Sequence, residues 1–224
     1  MKLLAECGIE ICAYSKAIGP VSIDPAKFNA EEIFNNPVYM PDADAASEAE
    51  AFIAEQMKKQ DSCGGIIECR IHGMPAGIGD PVFEKLNANL AKAICSIGAV
   101  KGFEIGDGFE AAKATGLTNN DAFIIEDGIV KKTTNHSGGT LGGMTDGSPL
   151  ILRAAIKPTP SIASTQHTVN KSGENIDISI KGRHDPIIVP RAVVVVESMA
   201  AITIADALLI NMASRMDKII NFYK

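Results

Sequence analysis

The 224-residue sequence contains no tryptophan, and aromatic residues make up only 5% of it. Its five cysteines stand at irregular spacings without a CxxC pair, so it shows no zinc-ligand pattern and favours reduced thiols over a disulfide framework. A basic excess is also absent, because the formal net charge is -6, and this does not favour nucleic-acid binding. An acidic chain still accommodates an anionic substrate where arginine and lysine cluster locally.

The sequence shows neither a secretory signal nor an uninterrupted membrane span. Residues 1–6 reach an acidic residue before an apolar h-region forms. The most apolar stretch, Ala192 to Ile210, is interrupted by Glu197 and Asp206, whose charges are costly in lipid. We therefore interpret this stretch as a core helix and expect a cytoplasmic protein without membrane association.

Hydrophobic residues make up 46% of the chain and charged residues 21%, which suffices for a sizeable core. We find no internal repeat, low-complexity tract or Ser/Gly linker. Strand patterns grouped around a few long helices, without regular βαβ alternation, predict the α+β class. Strands are predicted at 9–14, 66–71, 99–106, 150–157 and 176–181, with a hairpin across 122–132 and a loop over 28–41.

Apolar periodicity predicts the helices. One ends near Ala5, with Gly8 as its stop, and the others are predicted over 45–59, from 80 to 94 and from 189 to at least 214. In the first of these three, Phe52, Ile53 and Met57 share an apolar face. In the second, Phe83 belongs to the apolar face.

A glycine-dense loop spans residues 135–149, with glycine pairs at 138–139 and 142–143. It is neither a Walker A loop nor a GxGxxG fingerprint. Paired glycines adopt backbone conformations closed to other residues and let the main chain approach a flat or anionic ligand. The residues alone leave two interpretations open, a ligand-binding loop and a tight structural turn.

Two further segments carry candidate polar contacts. Residues 157–161 read Lys-Pro-Thr-Pro-Ser, either a wall of a binding site or a strand that ends in a rigid turn. In the segment 182–191, Arg183 and Asp185 stand two positions apart, so an extended backbone points both side chains to one cavity. The alternative for this second segment is a surface ion pair beside a helix cap.

These segments follow the order of motifs in chorismate synthases, and the sequence resembles that family over nearly its whole length. The resemblance rests on N-H-x-G-G-x-L-G-G at 135–143, K-P-T-x-S at 157–161 and R-H-D-P at 183–186, ahead of an apolar helix. The stretches 8–11, 61–65 and 73–79 also match. It implies a β-α-β sandwich of antiparallel sheets around central helices, forming one domain over 1–224 that is incomplete at its N-terminal side.

The resemblance also implies the chemistry. Chorismate synthase is a lyase of the shikimate pathway, which leads to the aromatic amino acids. It eliminates phosphate from 5-enolpyruvylshikimate 3-phosphate in a 1,4-elimination that needs reduced FMN, and it works as a cytoplasmic homotetramer. By resemblance, Asp185 helps to take a proton from the flavin. The residues that resemblance places against FMN are Gly98, Ala99, Gly142, Lys157, Pro158, Thr159, Pro160, Ser161 and Arg183.

A complete family member is expected to carry more sequence ahead of Met1, including a Ser-His-Gly histidine and a second catalytic histidine. Residues 1–224 contain neither motif. We therefore expect little or no lyase activity from these residues alone, together with exposed apolar helix faces and self-association. Two alternatives stay open, a non-catalytic fragment that binds flavin or phosphate and a structural α+β module whose glycine loops are turns.

Overall fold

The computed structural model describes residues 1–180, 182 and 184–224, with only the backbone of Lys218. Its helices in these ranges are α1 (Lys2–Glu6), α2 (Ala43–Lys58), α3 (Leu86–Cys95), α4 (Val189–Met212) and α5 (Met216–Tyr223). Short 3₁₀ helices lie at Pro25–Lys27, Ala30–Phe34 and Gly108–Lys113.

The strands of the described chain form one larger sheet and three hairpins. They are β1 (Glu10–Ile18), β2 (Val21–Ser22), β3 (Gly65–His72), β4 (Val100–Ile105), β5 (Phe123–Glu126), β6 (Ile129–Lys132), β7 (Thr140–Leu141), β8 (Met144–Thr145), β9 (Leu150–Ile156), β10 (Gln166–Val169) and β11 (Asn175–Ile178). The larger sheet has the order β2-β1-β3-β9-β4. Strands β5–β6, β7–β8 and β10–β11 pair antiparallel, as do β1 and β2. The predicted α+β class with antiparallel sheets is confirmed.

The chain forms two compact units. Unit 1 comprises Met1–Ala13, Glu68–Ala154 and Val194–Lys224, and unit 2 comprises Tyr14–Ile67 and Ala155–Val193. Strands β1, β3 and β9 and helix α4 each have residues in both units. The single domain over residues 1–224 stays a prediction.

Aliphatic side chains form the core of unit 1. Helix α3 buries Leu86, Leu90 and Ile94 at intervals of four residues, which places them on one face. Strand β9 buries Leu150 and Leu152 by the alternation of its side chains. Each fully buried side chain of this size contributes about 1.5–3 kcal/mol to folding.

The core of unit 2 includes the alanine face of α2. This helix buries Ala45, Ala46 and Ala49, whereas Met57 is 59% exposed. The prediction that Met57 lies on the apolar face that α2 buries is therefore wrong. The buried face consists of alanines. Phe52 instead covers the backbone of Gly19, where a Cβ would collide with its ring.

The predicted helix from Asp80 to Ile94 begins later than expected. Val82 has φ of 70°, a left-handed conformation that interrupts a helix, and Lys85 has an extended backbone as the N-cap of α3. Phe83, which was predicted to lie on the buried face, is 88% exposed. Only the part of the prediction from Leu86 onwards is confirmed.

The other predicted elements are largely confirmed, with some differences. The region predicted as a loop over 28–41 contains the 3₁₀ helix Ala30–Phe34, and α4 ends at Met212, two residues before the predicted minimum. The strand predicted over 176–181 is β11 (Asn175–Ile178), and its predicted last residue lies outside the described residues. The elements that were not predicted include helix α5, the strands β2, β7, β8 and β10, and the 3₁₀ helices Pro25–Lys27 and Gly108–Lys113. Short polar strands such as β10 carry little apolar alternation, so their sequence does not distinguish them from a loop.

Helix α4 begins at Val189, as predicted, but it is less buried than a core helix. It is the one described helix that is long and apolar enough to cross a membrane, with a mean hydropathy of 2.1, and 28% of its most apolar window is buried. Length and composition alone do not distinguish a core helix from a membrane span. The prediction of a core helix therefore holds for one face only.

The N-cap of α2 generates a stability prediction. The buried carboxylate of Asp42 accepts hydrogen bonds from the backbone N–H groups of Asp24, Asp44 and Ala45 at 3.0, 3.1 and 3.3 Å. Burial by itself raises the pKa of this carboxyl, but the three N–H donors outweigh burial and the net pKa is lowered. We expect Asp42→Ala to lower the free energy of unfolding by about 1–2 kcal/mol, measured by urea denaturation.

The matched control is Glu48→Ala, at an exposed position of the same helix, which should change stability by less than about 0.5 kcal/mol. Because the folded pKa of Asp42 is lowered, its contribution is present above the unfolded pKa of about 3.9 and is lost as the pH falls through the folded pKa. Equal stability of wild type and Asp42→Ala at neutral pH would contradict the prediction.

Candidate functional site

The glycine-dense loop folds into the hairpin β7–β8, which lies in unit 1. Gly142 and Gly143 form its turn with φ of 63° and 96°, a backbone that only glycine adopts readily. A Cβ on Gly143 would lie 2.5 Å from Cγ of Lys85 and 2.6 Å from the carbonyl oxygen of Asp80, whereas a Cβ on Gly142 would meet no atom within 4 Å. The turn therefore packs on its Gly143 side and leaves the backbone of Gly142 open to a ligand.

Asn135 fastens the beginning of this loop. Its Nδ2 donates to the carbonyl oxygen of Pro149 at 2.9 Å, and its Oδ1 accepts from the N–H of Gly139 at 2.8 Å. The two bonds join both ends of the segment 135–149. The side chain of Asn135 therefore joins the two ends of the loop. A structural turn and a binding loop both need such a closure, so this contact is compatible with either interpretation.

A buried ion cluster also holds the glycine-dense loop in place. The ammonium group of Lys132 lies 2.5 Å from a carboxylate oxygen of Asp146 and 3.4 Å from one of Asp121, and all three side chains are at most 7% exposed. Asp121 also accepts from the N–H groups of His136 and Ser137, at 2.7 and 3.0 Å. Strand β6 and the glycine-dense loop are thereby joined by charge-assisted hydrogen bonds.

Both carboxyls of this cluster are ionised in the folded chain. Burial alone raises the pKa of Asp121, yet hydrogen bonds from Ser137, Thr134 and His136 lower its pKa well below the ordinary range. The pKa of Asp146 is likewise raised by burial but lowered in sum, chiefly by the hydrogen bond from Lys132. Asp121 and Asp146 stand 11 and 14 residues from Lys132 in the sequence and meet it only in the folded chain. The sequence therefore contains no local signal for this cluster.

His136 has a carboxylate partner that was not predicted. Its Nδ1 lies 2.6 Å from Oδ2 of Asp107, and the N–H of Asp107 donates to the carbonyl oxygen of His136 at 2.8 Å. Both side chains are partly exposed. The reciprocal contacts fix the ring of His136, and they leave this histidine as an anchor of the loop.

Gly98 and Ala99 lie between α3 and β4, also in unit 1. Ala99 has φ of 70°, and a Cβ on Gly98 would meet no atom within 4 Å, so this backbone is open as well. The N–H of Leu86, at the start of α3, donates to the carbonyl oxygen of Gly143 at 2.8 Å. Gly142 and Gly98 therefore lie near opposite ends of α3, about 15 Å apart along its axis. They do not contact one another.

Residues 157–161 follow β9 and belong to unit 2. Pro158 packs against Gly64, where a Cβ would lie 3.1 Å from its Cδ, and the hydroxyl of Ser62 donates to the carbonyl oxygen of Thr159 at 2.7 Å. These contacts fix the backbone of the segment. Lys157 and Pro160 are exposed, and Ser161 is half-buried.

The hydroxyl of Thr159 is the unusual group of this segment. Its Oγ1 is buried and has no hydrogen-bond partner among the described residues. A buried hydroxyl without a partner costs about 1–3 kcal/mol. Such a group indicates a position where a ligand or water completes the hydrogen bonding.

Asp185 lies in unit 2 and lines a small cavity of about 160 Å³. The cavity is also lined by Ile162 and Ala163, which directly follow the segment 157–161, and by His184 and Asp61. Arg191 forms a half-exposed ion pair with Asp185. Asp185 is thus beside the end of the predicted flavin wall, while the predicted contact of Arg183 lies outside the described residues.

Comparison with known proteins gives one consistent family. A family model described as chorismate synthase matches residues 1–209. The chorismate synthase of Agathobacter rectalis is 72% identical over 224 residues, which cover 100% of this chain and 61% of that protein. The chorismate synthase of Lachnospira eligens is 61% identical with the same coverage, and that of Methanosarcina barkeri is 48% identical over 212 residues, covering 92% and 58%.

A solved structure described as "Crystal Structure of Chorismate Synthase" is similar to this fold, with a TM-score of 0.79 and 30% identity. The match covers 95% of this chain and 60% of that chain. The 224 residues thus span about 61% of the length of the Agathobacter rectalis and Lachnospira eligens proteins.

The Lys132 cluster generates the prediction of this section. Lys132→Met leaves the carboxylates of Asp121 and Asp146 buried without their cation, so we expect a loss of about 3–5 kcal/mol in the free energy of unfolding. Lys131→Met, at the adjacent half-exposed lysine, is the matched control and should cost less than about 1 kcal/mol. Chemical denaturation measures both.

The pH dependence tests the same cluster independently. Because the folded pKa values of Asp121 and Asp146 are lowered, their stabilisation is present above an unfolded pKa of about 3.9 and is lost as the pH falls through the folded values. Asp121→Asn should therefore lose less stability than wild type between about pH 4 and pH 2. Parallel acid profiles for the two proteins would show that Asp121 is not held as described.

Proposed function

Because the chain belongs to the chorismate synthase family, we propose that it contributes to the family reaction, the 1,4-elimination of phosphate from 5-enolpyruvylshikimate 3-phosphate to give chorismate. This makes it part of a lyase of the shikimate pathway, which supplies the aromatic amino acids. The observation that carries the proposal is the family match over residues 1–209 together with a TM-score of 0.79 to a solved member. We propose a cytoplasmic protein that acts as a homo-oligomer, a tetramer by family likeness.

The residues that the structure describes fit reduced FMN as the cofactor. The backbones at Gly142 and Gly98 are open where a Cβ would otherwise stand, so a flat ring can approach the main chain. The unpartnered hydroxyl of Thr159 offers a hydrogen bond to a polar group of a ligand. When bound, reduced FMN supplies transient electron donation to a reaction that has no net redox change.

We propose that residues 157–161 form one wall of the flavin site in unit 2. Pro158 and Pro160 restrict the backbone, so the segment is ordered before a ligand binds. Lys157 is exposed and presents a cation to a phosphate or a ring oxygen, and Thr159 presents its hydroxyl. Ser161 contributes a second hydroxyl.

Asp185 is proposed as the proton acceptor of the site. Its carboxylate lines the cavity beside Ala163 and is held by the guanidinium of Arg191, which keeps it oriented. An oriented carboxylate would hold a proton at its Oδ atoms if reduced FMN were bound beside it. By family likeness Arg183 contacts both the flavin and the phosphorylated substrate, since a guanidinium binds phosphate in a bidentate manner.

Residues 1–224 carry only part of the family's catalytic groups. The four histidines are His72, His136, His167 and His184, and none stands in a Ser-His-Gly motif. We therefore propose that a polypeptide of these residues alone binds flavin but turns over little substrate. The other two candidates are a fragment that binds flavin or phosphate without catalysis and a structural module that binds neither.

The hydroxyl of Thr159 tests whether the chain binds flavin, which separates the structural module from the candidates that bind flavin. We expect Thr159→Val to weaken the binding of reduced FMN by roughly five- to tenfold, the value of one lost hydrogen bond. Titration under anaerobic conditions, followed by flavin fluorescence, measures it. Thr168→Val, at an exposed position of β10, is the matched control and should bind as wild type does.

If Thr159→Val binds FMN as tightly as wild type while its stability rises, the hydroxyl is only an unsatisfied core group and the flavin wall is wrong. If wild type itself does not bind FMN, the structural-module alternative replaces the proposal.

Turnover is a separate prediction. We expect purified residues 1–224, with reduced FMN and 5-enolpyruvylshikimate 3-phosphate, to form chorismate at a rate at least about a hundredfold below a full-length relative, since general acid catalysis typically contributes that factor or more. The absorbance of chorismate and the release of phosphate are measured together. A rate equal to that of the full-length relative would show that the histidine motifs are not needed.

A further inference from the structure

The hairpin β7–β8 is joined to a second loop of unit 1, the segment 75–80, by the buried residue Thr145. The hydroxyl of Thr145 donates to the carbonyl oxygen of Pro75 at 2.5 Å and accepts from the N–H of Ile78 at 2.9 Å. Its backbone N–H donates to the carbonyl oxygen of Ile78 at 2.9 Å, and its carbonyl oxygen accepts from the N–H of Gly77 at 2.8 Å. Four hydrogen bonds therefore converge on this one residue.

The two bonds of the hydroxyl depend on the identity of the side chain at position 145. Any residue other than proline can make the two backbone bonds, whereas the hydroxyl supplies both a donor and an acceptor. Valine has nearly the same shape as threonine but supplies neither. In a Thr145→Val variant, the carbonyl oxygen of Pro75 and the N–H of Ile78 would lose this partner at a buried position, which is unfavourable.

The segment 75–80 also touches the glycine turn of the hairpin. A Cβ on Gly79 would lie 2.6 Å from the carbonyl oxygen of Gly143, and a Cβ on Gly143 would lie 2.6 Å from the carbonyl oxygen of Asp80. The two backbones are thus in direct contact, without a side chain between them that could absorb a displacement. Any shift of the segment 75–80 is therefore passed on to the turn.

The core of unit 1 holds the segment 75–80 in place. Ile78 and the preceding Met74 are buried, at 4% and 3% exposure. The carbonyl oxygen of Gly77 accepts from Nδ2 of Asn211, which lies near the end of α4, at 3.1 Å. The segment is therefore a fixed support, and Thr145 is the residue that bonds the hairpin to it.

The open side of the turn depends on this support. A Cβ on Gly142 would meet no atom within 4 Å, so packing does not hold the turn on that side, and its position is set from the side of Gly143. We propose that Thr145 is a positioning residue for the flavin, whose hydroxyl fixes the backbone of Gly142 through the segment 75–80. The inference rests on the proposed function, because it takes FMN as the ligand that meets Gly142.

Thr145→Val and Thr145→Ser test the hydroxyl. The valine variant removes both side-chain bonds, and we expect it to weaken the binding of reduced FMN at least about fivefold, the lower end of typical coupling between sites. The serine variant retains both bonds and should bind as wild type does. Anaerobic titration measures the affinities. The absorption spectrum of bound flavin at saturation should change in Thr145→Val alone, because it reports the surroundings of the ring.

Asp42→Ala is the matched control for a general loss of stability, since it weakens the N-cap of α2 in unit 2 and leaves the hairpin β7–β8 untouched. It should bind FMN with the affinity and spectrum of wild type. Denaturation profiles of the variants give the stability that each has lost. Binding is compared at a temperature at which all of them are folded.

Hydrogen exchange of the wild-type chain tests the same coupling without a variant, so it applies even if Thr145→Val does not fold. If the segment 75–80 positions the flavin, flavin must in turn stabilise that segment, because coupling between two sites is reciprocal. We expect saturating FMN to slow the exchange of the N–H groups of Gly77 and Ile78 more than that of Asp24, which donates to Asp42 in unit 2.

Three outcomes would overturn the inference while the proposed function stands, because wild type binds FMN in each. The first is a Thr145→Val variant with the affinity and spectrum of wild type. The second is an equal loss of affinity in Thr145→Val and Asp42→Ala. The third is the same change of exchange at Ile78 and at Asp24. If wild type binds no FMN, the proposed function itself fails, and this inference fails with it.

Discussion

The ammonium group of Lys132 lies between the carboxylates of Asp121 and Asp146, and this buried ion cluster determines where the glycine-dense loop can lie. Five glycines give the segment 135–149 many backbone conformations, and their conformational entropy opposes any single one. The cluster and Asn135 select one conformation, because a buried charge that loses its partner costs about 3–5 kcal/mol, which is comparable with the backbone entropy of a few residues. The open backbone at Gly142 exists only because the rest of its loop is held.

In unit 2 the relevant feature is a buried polar group that has no hydrogen-bond partner. Two prolines and the bond from Ser62 fix the segment 157–161, and they leave one buried hydroxyl, that of Thr159, without a partner. Folded chains rarely leave such a group unless something else completes it. Asp185 lines a cavity together with Ile162 and Ala163, which follow the segment 157–161, and it is held by Arg191. On these features, together with the family likeness, the ligand site in unit 2 is proposed.

Helix α4 shows what the 224 residues do not satisfy by themselves. Its buried face is complete, while Val194, Ile202 and Leu209 are exposed to water. The exposed apolar helix face expected from the sequence is thus observed.

The sequence alone was sufficient for the α+β class, the family, the hairpin at Asp127-Gly128 and the long apolar helix, because each follows from local periodicity, turn chemistry or literal motifs. It was misleading for residues 80–85, where a left-handed Val82 overrides an apolar helical pattern. Only the tertiary structure decided that Lys132 meets two aspartates, that Gly142 and Gly98 stand at opposite ends of α3, and that α4 has one free face. These depend on contacts between residues distant in the chain, and a local pattern carries no information on which distant partner a side chain meets.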